Sequence, residues 1–193
     1  MNYLSLIILV LYILVSPGTM EAQVKSEREY RLAKEKVPLE ARRFIASLEK
    51  PVRLRWYMEE SPSGYSVEAK FRLNGKRYSV EFDTSGALQD VEFIINPSSI
   101  PPSSMALLTR ELDSLFKHHH FVKIQQHYQG PADLQLLAMQ KNIHQDGLIT
   151  RYEIVIRGKR NGTPALFEVT TGQDGKVLDV LIILSKSAEH LEY

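Results

Sequence analysis

Tyr65, Val67, Ala69, Phe71 and Leu73 alternate strictly with Ser66, Glu68, Lys70 and Arg72. Alternation with a period of two predicts a strand with one apolar and one wet face. Asn74-Gly75 follows, a dipeptide that accepts the positive φ angles of a tight hairpin turn. Tyr78, Val80 and Phe82 then alternate with Arg77, Ser79, Glu81 and Asp83, and Asp83-Thr84-Ser85-Gly86 forms a second turn cluster. A third strand is expected from Leu88 to Ile95.

This stretch returns as Tyr152 to Ile183. Tyr152, Ile154 and Ile156 match Tyr65, Val67 and Ala69, and Asn161-Gly162 matches Asn74-Gly75. Glu168 falls where Glu81 fell, Gly175 matches Gly86, and Asp179-Val180 matches Asp90-Val91. The spacings Leu88 to Val91 and Val177 to Val180 both break the alternation by one residue, which predicts a bulge in each strand. Each copy is preceded by a further extended run, Val52 to Glu60 and Phe121 to Tyr128. Helical spacing comes before that, over Leu39, Ala41, Phe44, Ile45 and Leu48, and again over Met105, Leu108, Leu112 and Leu115.

The pattern therefore predicts an α+β protein of two tandem units, each a helix packed on one face of a four-stranded antiparallel sheet. Residues 37–96 form unit one and 105–185 unit two, with a Pro/Ser linker over 97–104 and Ser103 or Ser104 capping the second helix. An insertion over 129–150 lengthens unit two, and Leu134, Leu137 and Ala138 suggest a short helix in it. It reads either as a functional loop or as plain length variation. Residues 23–36 are highly charged with a thin apolar face, which predicts a frayed helix or a tail. Trp56, in phase with Leu54 and Met58, is expected in the core.

Leu4 to Val15 is apolar but short for a bilayer span, and Ser16-Pro17-Gly18 ends it. Residues 1–22 thus read as a secretory signal peptide, with a retained membrane anchor as the rival, although no Lys or Arg precedes the run. The net charge of +1 lacks the basic surplus that phosphate contacts require, which argues against a nucleic-acid binder. With no cysteine, a disulfide framework, thiol catalysis, thiolate metal sites and bacterial lipidation are excluded.

His118-His119-His120 has neighbours in His127 and His144, but consecutive side chains point apart. A solvated helix end is expected there and no metal site is assigned. Glu81 and Glu168 recur on the wet face with Glu68 and Glu153. Strand solubility and cross-strand pairing with Lys70, Arg72 or Arg157 are the expected roles. Neither a nucleophile elbow nor a phosphate-cradling glycine loop is present, so neither catalysis nor a cofactor is expected.

The acidic turn followed by G-x-[LV]-x-D-[VL] resembles the PepSY-like domains of exported bacterial proteins, themselves similar to the halves of beta-lactamase inhibitor protein. The matching positions are Tyr65, Gly75, Phe82, Gly86, Leu88 and Asp90, then Tyr152, Gly162, Val169, Gly175, Val177 and Asp179. The likeness covers roughly Pro38 to Leu184. It implies a periplasmic or secreted binding or inhibitory module and carries over no individual inhibitory residue.

The expected function is a non-catalytic protein-binding module of the cell envelope with no stable membrane insertion after signal cleavage. Val155, Leu166, Leu181 and Ile183 interrupt the wet face of unit two, and with Leu134 and Leu137 they are the candidate partner-binding residues. Two readings of the four strand residues stand: a partner surface, or a face covered by the other unit. The alternative function is a carrier holding a small apolar ligand between helix and sheet.

Overall fold

The computed structural model describes residues 24–49, 53–141, 145–160 and 162–183. The signal-peptide reading, His144 and Asn161 lie outside these. The chain runs β1 (Val24–Lys25), β2 (Arg28–Leu32), α1 (Leu39–Ala46), β3 (Arg55–Ser61), β4 (Gly64–Leu73), β5 (Lys76–Asp83), β6 (Leu88–Ile94), α2 (Pro102–Leu115), β7 (His119–Gln129), α3 (Ala132–Lys141), β8 (Ile149–Arg160), β9 (Thr163–Gly172) and β10 (Val177–Ile183).

All ten strands form one sheet in the order β1-β10-β9-β8-β7-β6-β5-β4-β3-β2. This corrects the expectation of two tandem helix-plus-four-stranded units. The two copies of the repeat, β3–β6 and β7–β10, are joined by antiparallel pairing of β6 with β7, from Val91↔Tyr128 to Ile94↔Gln125. Two separate sheets would have left both strands as unpaired edges. The sheet is also mixed, because β1 pairs in parallel with β10.

The charged segment expected as a tail or frayed helix supplies both outer strands. β1 lies on β10, while β2 lies antiparallel on β3 with Leu32 opposite Trp56. Only Ser26 and Glu27 separate them. Such a link reaches roughly 11 Å at full extension. A flat sheet of ten strands would put its edges about 43 Å apart at the usual strand spacing. The sheet must therefore curl until its edges meet, with Val24 to Leu32 crossing the seam.

Locally the two copies match closely. A 3₁₀ turn, Lys34–Lys36 or Pro97–Ser99, leads into each of the first two helices through Val37-Pro38 or Ile100-Pro101. α2 begins at Pro102, inside the expected linker, and its N-cap is Pro101 rather than a serine. A proline suits the first turn because its missing N–H would have no partner there. Gly86 (φ +94°) and Gly175 (φ +88°) lie under these helix starts. A Cβ at Gly86 would stand 2.8 Å from Pro38 Cβ, and one at Gly175 would run into the Ser104 carbonyl. The expected bulges are present in β6 and β10, at Glu81/Phe82 and Val177/Asp179 of their ladders.

The helices cover one face of the sheet. Ala41 and Ile45 of α1 and Leu108 and Leu112 of α2 join Trp56, Val80, Phe82 and Val169 in one core. Phe44 packs edge-on to Phe82 at 5.6 Å between centroids, and Trp56 lies 6.1 Å from the same ring. An apolar ligand held between helix and sheet would have to displace these rings. α3 buries Ala138 and Met139 in this core, and Gln140 donates to the Ser47 carbonyl beyond α1 at 3.1 Å.

Candidate functional site: the polar trough

The residues between those core positions point to the other face. Because the sheet curls, that face becomes a trough of about 1010 Å³ rather than an open surface. Every strand contributes to its wall: Lys25, Glu29, Tyr57, Glu68, Glu81, Glu92, Lys123, Glu153, Glu168 and Leu181, in strand order from β1 to β10. The alternation placed Glu68, Glu81 and Glu168 on the polar face correctly. What differs is solvation. Glu68 and Glu168 are each only 8% exposed and Glu81 is half-buried, so these are not strand-surface carboxylates in bulk water.

Register sets the charges against one another. Glu68 lies directly opposite Glu81 across β4 and β5, and Glu81 directly opposite Asp90 across β5 and β6. Like charges facing each other across strands destabilise a sheet. Burial first, then Asp90, pushes the Glu81 carboxyl up to about 7, with a Ser66 hydrogen bond working the other way. Burial and then Glu27, Glu68 and Glu81 push Glu59 up to about 9. Glu68 is raised by burial against the opposing pull of Lys70, while Ser79 Oγ donates to its Oε1. Burial and then Glu153 hold Glu92 well above the usual carboxylate range.

Two lysines partly compensate. Lys70 Nζ sits 2.6 Å from Glu29 and 3.1 Å from Glu68. Lys25 Nζ sits 2.8 Å from Glu168 and 3.1 Å from Glu27. Burial opposes the charge of both lysines, but the surrounding carboxylates outweigh it and both are held above the usual ammonium value. Burial pulls Lys123 below that value. Pairing of Lys70 with a carboxylate was legible in the alternation, but the Lys25–Glu168 pair was not.

The candidate partner residues divide between the two faces. Leu181 and Ile183 line the trough. Val155 and Leu166 share its face by register, Val155 lying opposite Glu168 and Leu166 opposite Ile183. Val155 is 2% exposed and thus no open surface. Leu134 and Leu137 are half-buried on α3, on the opposite side of the sheet, so they cannot join the other four in one contact.

His119 and His120 open β7 and His118 lies in the bend before it, so the run is not a helix end: α2 stops at Leu115 and β7 begins at His119. His118 and His120 are exposed, while the His119 ring lies 6.0 Å from Phe121 and 6.4 Å from Phe116. His127 is different. It is buried on the trough face, opposite Glu92 in register, with Nε2 3.4 Å from Asp90 Oδ2. Sequence reasoning named it only as a neighbour of the His118–His120 run and assigned no metal site; the register of β7 on β6 is what brings it to Asp90 and Glu92.

No protein-family model, curated protein or solved structure matches the chain. Among the described residues no helix is long and apolar enough to cross a membrane.

Proposed function

We propose that the chain is an exported, non-catalytic binding module of the cell envelope whose acidic trough receives a basic segment of a protein partner. The observation that carries this is the Glu68–Glu81–Asp90 row. Three carboxylates face one another across three strands in a partly desolvated trough. Their mutual repulsion is relieved by a cation, which makes the empty trough the higher-energy state and a cationic occupant favourable.

A lysine or arginine side chain combines an apolar stem with a charged head. Leu181 on the wall suits the stem, and the acidic row suits the head. Export rests on the apolar run Leu4 to Val15, and the envelope setting on that run with the PepSY-like resemblance.

A photo-crosslinking side chain at Tyr57, on the trough wall, tests the reading in the cells that make the protein. It should capture a protein through a Lys- or Arg-rich segment, and the double variant Glu68→Gln/Glu81→Gln should weaken that capture. A probe at exposed Leu39 on α1 should not capture it. Capture from Leu39 alone, or through a segment without basic residues, would overturn the proposal.

A further inference from the structure

We propose that Asp90, Glu92 and His127 form a divalent-cation site in the trough wall. Asp90 and Glu92 are two apart on β6, so both point into the trough. His127 on β7 lies directly opposite Glu92. One ligand atom from each of the three side chains lies within 4.8 Å of the other two. Two carboxylates and an imidazole form a mixed oxygen–nitrogen set that suits Zn²⁺ or Mn²⁺ and leaves further positions open.

The second observation is the histidine itself. His127 is 7% exposed, and its Nε2 is buried without a hydrogen-bond partner. Asp90 at 3.4 Å is beyond a good N–H···O distance. A buried ring nitrogen that meets Asp90 only at 3.4 Å, with the Glu92 carboxylate beside it, is an arrangement that a metal ion between the three would satisfy.

The surroundings also fit. Gln125 Nε2 donates to Glu92 Oε2 at 2.6 Å, which fixes the carboxylate. Such outer hydrogen bonds orient metal ligands. Glu153 adds negative charge beside Glu92. Arg151, opposite His127 in register, is an opposing charge on β8, and Lys123 and Lys25 are cations that act on Glu92 from β7 and β1. The other carboxylate group in the trough, Glu29, Glu59 and Glu68, has no such vacancy, because Lys70 already bridges two of its members.

The site goes beyond the partner reading and is tested without a partner. Metal-stripped full-length protein is titrated with Zn²⁺ and, separately, Mn²⁺, by calorimetry and thermal unfolding. One equivalent of at least one ion should bind, with Tm rising as its concentration passes Kd. His127→Gln and Asp90→Asn should each lower affinity tenfold or more, and Gln125→Ala about 10–100-fold, while their metal-free melting curves show a folded protein. Replacing His118, His119 and His120 together by alanine should leave Kd unchanged. Failure of both ions to bind the wild-type protein, binding undiminished in His127→Gln, or binding lost in the triple-histidine variant would each overturn the site.

Discussion

Lys25 and Glu168, 143 positions apart in the chain, meet at 2.8 Å. Lys25 belongs to the short strand that pairs with Ile183 at one edge of the sheet, and three residues later the chain is already pairing at the other edge. The ion pair thus pins the crossing segment to the wall of the trough that it closes.

Breaking that pair should therefore loosen the seam. The side chains retain 22% and 11% exposure, so the interaction is largely sheltered from water. Removing one partner leaves the other buried and uncompensated. Lys25→Ala should cost about 1–3 kcal/mol in urea unfolding. The double variant Lys25→Ala/Glu168→Gln should recover part of that loss. Strictly additive losses would show that the two side chains are not coupled.

The sheet faces can be distinguished with adjacent residues. Phe82 is fully buried between Phe44 and Trp56, so Phe82→Ala should cost about 3–5 kcal/mol. Its neighbour Glu81 points into the trough. Glu81→Gln retains the shape and removes a repelled charge, so it should not destabilise at neutral pH. Denaturant midpoints of the two variants decide the matter.

The acidic row also sets a pH dependence. Glu81 is raised to about 7 in the folded chain, against an ordinary glutamate value near 4.3 unfolded. Between those values the folded state holds more protons than the unfolded one, so stability falls as pH rises. Wild-type protein in metal-free buffer should lose about 1–2 kcal/mol from this group between pH 4.5 and 7, discounted for its partial exposure. Glu81→Gln should flatten that part of the profile. A stability curve rising through the same window in both proteins would reverse the sign and refute the assignment.

Gly175 tests the join between sheet and helix. Its positive φ and the Ser104 carbonyl against it leave no room for a Cβ. Gly75 shares a positive φ, but nothing lies within 4 Å of its Cβ position. Gly75→Ala should cost about 1 kcal/mol for backbone strain alone. Gly175→Ala should cost clearly more, because the start of α2 must move. Thermal melts of the two variants give the comparison.

Much of this architecture was legible along the chain. Tyr65 to Leu73 and Lys76 to Asp83 show their faces by alternation, and Gly86 and Gly175 mark equivalent turns in two copies. Even the bulges of β6 and β10 appear as a broken period. The closure of the sheet was not legible. Val24, Lys25 and Arg28 to Leu32 are too short and too charged to announce strands, and they become strands only because two sheet edges need partners. With that closure missing, Glu68 and Glu168 read as solvated, although their burial comes from curvature and not from their own strands. His127 was hidden for a related reason: register between β6 and β7, not spacing within either, brings it opposite Glu92.

The most direct test is the titration of the glutamate carboxylates, followed by ¹³C NMR in metal-free protein. Glu81 should titrate near 7 and Glu59 near 9, both well above the ordinary glutamate value near 4.3. Adding a bound basic segment should bring Glu81 down, because a nearby cation favours the charged carboxylate. Glutamates that all titrate near 4.3 would mean that the face is open to water and that no acidic trough exists.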